Sequence, residues 1–233
     1  MAVYAVSDLH GRYDLWKLIK DFLMPNDTLF VLGDCADRGS EGWKIIKEVL
    51  QDKRCIYLKG NHEDMLVKAV KDYLRNDCCA DGRVYEILLS NGGYETFRDI
   101  TNEPEQFIGE WIRCIDKLPE YKSYVNEQGF EILLTHAGFT PPYKMTTDLL
   151  WDRTHFIDHW PEGEEFSKTY IIHGHTPIPY TADYVGETRP DEPGVFWYCD
   201  KHKCCIDHAS AWTSIAVLLN LDTFKEEIFI IDK

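Results

Sequence analysis

Short apolar runs alternate with helical periodicities over the first third of the chain. Residues 2–6 form an apolar run, after which Leu15, Trp16, Ile19, Phe22 and Leu23 recur at the spacing of one helix face. Pro25-Asn26-Asp27 breaks this helix, and residues 28–32 read as a second buried strand. Trp43, Ile45, Ile46, Val49 and Leu50 predict the next helix, with Ser40 placed to cap it. Residues 55–58 give a third strand, and Met65, Leu66, Ala69, Val70, Tyr73 and Leu74 a third helix. Repetition of strand and helix argues for parallel pairing with helices covering the sheet.

Residues 76–117 read as irregular segments and helices, with a turn at Asn91-Gly92-Gly93 and helical spacing over 106–115 that Pro119 stops. Residues 121–125 and 130–134 flank Asn126-Glu127-Gln128-Gly129, a four-residue hairpin signal. A strand follows at 170–172, and residues 194–199, 204–206, 214–221 and 227–231 look like strands joined by turns. Parallel units early and hairpins late predict an α/β fold of two mixed, packed sheets. No repeat, low-complexity run or linker divides the chain, so residues 1–233 read as a single domain.

Composition narrows the classes. Apolar residues at 44% and charged residues at 28% suit a folded chain able to bury a core without staples. Asp plus Glu (40) against Lys plus Arg (25) leaves a net charge of −15, which disfavours nucleic acid and anionic membranes as partners. A small basic pocket for a phosphate stays compatible with it. No stretch approaches the ~20 apolar residues of a membrane helix. The start lacks the basic region of a signal peptide, and eight cysteines then read as reduced thiols. A cytoplasmic protein is expected.

The chemistry collects where strands end. The first strand runs into Ser7-Asp8-Leu9-His10-Gly11, the second into Gly33-Asp34-Cys35-Ala36-Asp37-Arg38-Gly39, and the third into Lys59-Gly60-Asn61-His62-Glu63. Two later strands end at Thr135-His136-Ala137 and His173-Gly174-His175-Thr176. Ligands of open α/β sheets gather outside the carboxyl ends of strands, so these five ends can converge. Taken singly, each is bland: a surface turn, a helix N-cap at Asn61, a hydrogen-bonded core histidine at His136. Five in succession, each pairing Asp, His or Asn with Gly, make a metal site. Carboxylate, imidazole and amide oxygen without thiolate suit Mn, Fe or Zn. Asp8, His10, Asp34, Asn61, His136 and His175 are too many for one catalytic ion and suffice for two if Asp34 bridges them. Paired metals are the usual clamp for displacement at phosphorus.

These blocks resemble the signature blocks of calcineurin-like metallophosphoesterases, in particular their phosphoprotein-phosphatase branch. Residues 7–11, 33–39 and 60–63 match three of them in order and spacing, and residues 135–138 and 174–177 match two metal-histidine blocks. The resemblance runs from residue 4 to about 210 and implies the four-layer calcineurin-like sandwich, with two mixed β-sheets face to face and helices outside. It further implies a serine/threonine-type protein phosphatase, a hydrolase working through metal-activated water on a phosphoprotein or small phosphoester. A symmetrical diadenosine-tetraphosphate hydrolase is the alternative, and a non-catalytic interaction module is disfavoured because no block is degraded. By position, Asp8, His10 and Asp34 hold a first ion, and Asp34, Asn61, His136 and His175 a second, with Mn the expected metal. His62 becomes the general acid, Asp37 its orienting carboxylate, and Arg38 and Arg153 the phosphate-binding arginines. Lys59 stands where the family has arginine, which predicts a weaker phosphate grip. Pro177 stands where phosphodiesterases of the superfamily carry a second histidine, favouring the phosphatase branch. No oligomeric state is implied.

Other motifs read as structural. His173 is expected to be a hydrogen-bonded strand histidine. Cys199, His202, Cys204, Cys205 and His208 match no standard zinc spacing and read as a hairpin with Cys199 and Cys204 close across strands. Cys78-Cys79 reads as adjacent loop thiols. The Tyr and Trp side chains of the last third are expected to fill the space between the sheets.

Overall fold

In the first strand, β1 (Val3–Val6), Val3 and Ala5 face a second sheet while Tyr4 and Val6 face helices, so both sides of the strand are covered. The computed structural model describes residues 1–75, 82–140 and 148–232. β2 (Thr28–Val31) and β3 (Cys55–Tyr57) lie parallel to β1 in register Val6↔Val31↔Tyr57. The sheet is completed antiparallel by β9 (Ile215–Asn220) and β10 (Glu226–Ile230), in the order β10-β9-β1-β2-β3. The second sheet has the order β4-β5-β6-β8-β7, with β4 (Tyr121–Val125), β5 (Glu131–Thr135), β6 (Thr169–His173), β7 (Phe196–Tyr198) and β8 (Lys203–Cys205).

The seam between the sheets is made of Ala5, Phe30, Leu32 and Leu219 from one side and Ile132, Leu134, Ile172 and Cys204 from the other. Each such side chain, fully buried, contributes about 1.5–3 kcal/mol. α1 (Tyr13–Phe22), α2 (Gly42–Gln51) and α3 (Asn61–Leu74) pack on the outside of the first sheet, with Trp16, Ile19, Ile46 and Val70 inward. α4 (Gly82–Ser90), α5 (Tyr94–Thr101) and α6 (Glu105–Asp116) extend this layer. α7 (Ile178–Val185) covers the outer face of the second sheet through Ile178 and Ala182 on Phe196, Tyr198 and Cys205. Helix, sheet, sheet, helix is the four-layer arrangement the sequence predicts.

The details correct several expectations. Ser40 does not cap α2, whose N-cap is Glu41 with no side-chain cap bond. α7 is a helix that its two prolines hid: Pro177 is its N-cap and Pro179 lies in the first turn, where no N–H is needed. The β7–β8 hairpin forms, but its register sets Trp197 opposite Cys204, while Cys199 lies in the turn with its thiol toward the Asp158 carbonyl. Cys204 enters the seam and Cys205 packs under α7, so these cysteines point apart. Cys78 and Cys79 lie outside the described residues. No helix among the described residues is long and apolar enough to cross a membrane.

Candidate metal centre and its cavity

Parallel neighbours bring the five strand ends together. Past β1 and β2 the backbones stay tied, His10 N–H donating to the Asp34 carbonyl at 2.9 Å and Gly11 N–H to that of Cys35 at 3.0 Å. Past β5 and β6, Gly174 N–H donates to the His136 carbonyl at 2.8 Å. The two sheets meet where His175 N–H donates to Asp8 Oδ2 at 3.0 Å and His136 Nδ1 to the Leu32 carbonyl at 2.7 Å. Two glycines make this approach possible. A Cβ at Gly60 would overlap Asp34 Oδ1, and one at Gly174 would overlap Ser7 Oγ and Asp8 Oδ2.

Backbone conformation marks the same spot. Asp8, His10, Asp34, Asp37, Arg38 and His175 all have φ between 43° and 66°, the left-handed region that costs an L-residue about 1–2 kcal/mol. Six such residues in one place aim side chains inward that an ordinary strand end would send sideways. Glu63, in the first turn of α3, holds the turn carrying Asp34. Its carboxylate accepts N–H bonds from Asp34, Cys35, Ala36 and Gly60 and the Tyr57 hydroxyl at 2.7–3.2 Å. The Asn91–Gly93 turn supports the next residues, since Gly92 carbonyl accepts Arg38 N–H at 2.9 Å and Thr96 Oγ1 accepts Asp37 N–H at 2.9 Å.

Asp34 faces two ways. Its Oδ2 lies 3.5 Å from His10 Nε2 and 3.7 Å from His62 Nε2, and its Oδ1 lies 3.4 Å from His136 Nε2. Two groups able to hold an ion therefore share it, His10–Asp34–His62 and Asp34–His136–His175. Asp8 Oδ1 is 3.8 Å from His10 Nε2 and has no hydrogen-bond partner, nor has His175 Nε2. With Nδ1 of His136 on the Leu32 carbonyl, its Nε2 is the ring nitrogen turned to the site. It lies 2.9 Å from Asn61 Oδ1, and His175 Nδ1 lies 3.0 Å from the same oxygen. Two ring nitrogens and a carboxylate oxygen gathered round one amide oxygen, with the buried Asp8 Oδ1 and His175 Nε2 unpartnered beside them, form an arrangement that a cation resolves. The donor set of carboxylate, imidazole and amide oxygen fits divalent ions of intermediate hardness.

Charges here are displaced from their ordinary ranges. Burial pushes the Asp8 carboxyl up, and burial together with Asp8 and Glu63 pushes Asp34 well up. Burial, reinforced by neighbouring His62 and Arg38, holds His10 well below the usual histidine range, and burial plus Arg38 does so for His62. Asp207, one of the residues the sequence reading missed, is likewise pushed up by burial and by Asp8. A bound cation opposes these shifts for the carboxylates.

His62 Nδ1 pairs with Asp37 Oδ2 at 2.8 Å, and burial raises the Asp37 carboxyl to about 7. The Arg38 guanidinium reaches both His10 Nε2 at 2.6 Å and His62 Nε2 at 3.2 Å, with Trp212 beneath it at 4.8 Å. Arg153 Nε donates to Thr176 Oγ1 at 3.0 Å, and with Arg38 and His175 it lines an open cavity of about 780 Å³. Lys59 is the residue that the structure does not bring in. Its ammonium donates to the Asp116 carbonyl at 2.7 Å, tying down the end of α6, and it does not line this cavity. His173 is satisfied as expected, by the Gly174 carbonyl and the Tyr198 hydroxyl.

Several supporting residues escaped the sequence reading. Glu63 stands three residues after the Gly60 N-cap, a capping-box position that signals a backbone-binding carboxylate. Lys203, fully buried, donates from Nζ to Thr140 Oγ1 at 2.7 Å and to the His155 carbonyl, pinning the 3-10 turn Thr154–Ile157 beside Arg153. Nothing in its local sequence distinguishes it from a surface lysine. Tyr170 and Trp197 pack against the seam between the sheets as expected, whereas Tyr180, Tyr184 and Trp212 do not. These last three stand 52–60% exposed around the cavity.

The family model for calcineurin-like phosphoesterases matches residues 1–203. A symmetrical bis(5'-nucleosyl)-tetraphosphatase of Delftia acidovorans is 26% identical over 195 residues, covering 81% of this chain and 62% of that protein. The chain spans about three fifths of the length of the first curated relatives it matches. Among solved structures, a metallophosphoesterase from Sphaerobacter thermophilus superposes with a TM-score of 0.59 at 13% identity, over 100% of this chain and 89% of that one. A protein serine/threonine phosphatase from Saccharomyces cerevisiae gives 0.57 at 14% identity, over 100% and 81%. At those identities the likeness is one of fold.

Proposed function

The chain belongs to the calcineurin-like phosphoesterase family, and on that premise we propose that it is a two-metal hydrolase that cuts dinucleoside tetraphosphates symmetrically. The observation carrying the phosphoryl-transfer reading is Asp34, whose two oxygens serve two separate clusters of ligand atoms beside the Arg38 and Arg153 guanidinium groups. The sequence motifs put a protein phosphatase first. The curated relatives instead carry the tetraphosphatase name, and an arginine-lined cavity suits a linear polyphosphate.

Asp8, His10 and Asp34, with His62 at the edge, would hold one cation, and Asp34, Asn61, His136 and His175 the other; Mn is our choice. When bound, such a pair lowers the pKa of water and offsets phosphate charge. The residues supply the rest. Arg38 and Arg153 bind the oxygens of the phosphoryl group under attack and balance the charge that builds there. Water adds to the phosphorus of an inner phosphate, the central P–O–P bond breaks, and one nucleoside diphosphate leaves while the other keeps the new oxygen. Asp37 orients His62 through Nδ1 so that Nε2 faces the reacting group; once phosphate oxygens draw Arg38 away and favour the imidazolium, that nitrogen can pass a proton to the leaving oxygen.

A substrate panel on the Mn-loaded protein tests this. Diadenosine tetraphosphate should be turned over with kcat/KM well above that for a phosphoserine peptide, giving ADP alone by chromatography. Preferred turnover of the phosphopeptide, or AMP plus ATP as products, would overturn the reading.

A further inference from the structure

The cavity beside the metal centre has an aromatic wall that hydrolysis at phosphorus does not need. Tyr180 and Tyr184, four residues apart on α7, share one face of that helix. Trp212, on the short helix α8 (Ser210–Thr213), lines the same cavity. All three rings are more than half exposed, an unusual outlay of aromatic surface beside so polar a site. Two are held in place from behind. Tyr184 stacks on Phe156 with ring centroids 5.3 Å apart, and Arg38 lies against the Trp212 ring. Arg38 thus belongs at once to the phosphate end of the cavity and to its aromatic wall.

We infer that Tyr184 and Trp212, with Tyr180 at the rim, form a subsite for the nucleobase of a nucleotide whose phosphates lie on Arg38 and Arg153; the inference rests on the tetraphosphate reading above. Charge supports a nucleotide as the occupant. The chain carries −15 overall, yet Arg38 and Arg153 both line this one cavity, with Arg189, paired to Asp183, at its edge. A volume of about 780 Å³ is in the range of pockets that take ligands of nucleotide size. Aromatic faces accept any base by stacking, so this wall gives affinity without choosing strongly among bases.

Calorimetric binding of ADP and of pyrophosphate to the Mn-loaded protein separates the base from the phosphates. The native chain should bind ADP about tenfold more tightly than pyrophosphate, a gain typical of one base stack. Trp212→Ala and Tyr184→Ala should each remove most of that preference, and Trp212→Phe should restore it. Equal affinities in the native chain, or alanine variants that weaken both ligands alike, would overturn the subsite. A tenfold gain for phosphotyrosine over phosphate, with none for ADP over pyrophosphate, would reassign the wall to an aryl phosphate and overturn it too. Absence of tetraphosphate turnover with the ADP preference intact removes the proposed reaction and leaves the subsite standing.

Discussion

Glu63 Oε2 accepts the backbone N–H of Asp34 at 2.7 Å, so the shared carboxylate at the heart of the site is held by another carboxylate through its main chain. With bonds from Cys35, Ala36, Gly60 and the Tyr57 hydroxyl, Glu63 sets the left-handed turn that splits the Asp34 oxygens between two clusters.

Replacing Glu63 by Gln puts an NH2 group against backbone donors inside a dry network. Hydrogen bonds to a buried charge are worth about 1.5–3 kcal/mol each, so Glu63→Gln should lower stability by about 3 kcal/mol or more and weaken metal binding. Tyr57→Phe removes one of the bonds and should cost about 1–2 kcal/mol with metal affinity kept. Urea denaturation and metal calorimetry on both variants make the check. A Glu63→Gln chain as stable as native would assign the turn to other forces.

His62→Asn distinguishes leaving groups. A serine alkoxide needs a proton to depart, whereas a nucleoside diphosphate leaves as a stabilised anion. The substitution should therefore cost most of the usual 10²–10⁴-fold of general-acid catalysis, roughly, on phosphoserine and far less on diadenosine tetraphosphate. Asp37→Asn should show the same bias in milder form, because it misorients the imidazole without removing it. Equal losses on the two substrates would make His62 a binding or metal-holding residue.

Lys59 and Arg153 should part company. With its ammonium on the Asp116 carbonyl, Lys59→Ala should lower stability by about 2 kcal/mol and leave KM within twofold. Arg153→Ala, at the cavity, should raise KM several-fold with little change in unfolding. Steady-state kinetics beside chemical denaturation read both. A large KM effect at Lys59 would return it to the phosphate site.

Lys203 gives a pH signature. Burial pushes its ammonium down to about 8 in the folded chain, while in the unfolded chain it titrates in the ordinary lysine range. Below about 8 both states hold the proton and the group adds no pH dependence. Above it, the unfolded chain binds a proton that the folded one has released, so stability rises with pH, by at most about 1.4 kcal/mol per unit. The stability of native protein relative to Lys203→Met should therefore be flat from pH 6.5 to 7.5 and climb towards pH 10, as followed by urea denaturation. A falling difference would contradict the burial of this charge.

The convergence of the candidate ligands is legible in the sequence because each candidate sits a short distance past an apolar run, and parallel strands align their ends. Local pattern carries that information. It does not carry the direction of a long side chain. Lys59 reads as a phosphate ligand because it stands where the family carries arginine, yet the nearby end of α6 offers its ammonium a carbonyl. Trp212 and Tyr184 looked like filling for the seam, which smaller residues such as Ala5, Leu219 and Ile172 already close. α7 was missed because prolines read as breakers unless the first turn of a helix is known to start there. Glu63 is visible as a motif member, but its role depends on two strand ends, those of β2 and β3, being within reach of one carboxylate.

Asp8, His10, Asp34 and Asn61 stand on the strand ends of one sheet, and His136 and His175 on those of the other. Cations bound there would rivet the two halves of the sandwich at one edge of their apolar seam. Their binding energy then acts on the folding equilibrium, growing with the logarithm of free metal concentration. Metal scarcity would on this reading lower the stability of the chain as well as its activity, and its resistance to proteolysis would track cation supply.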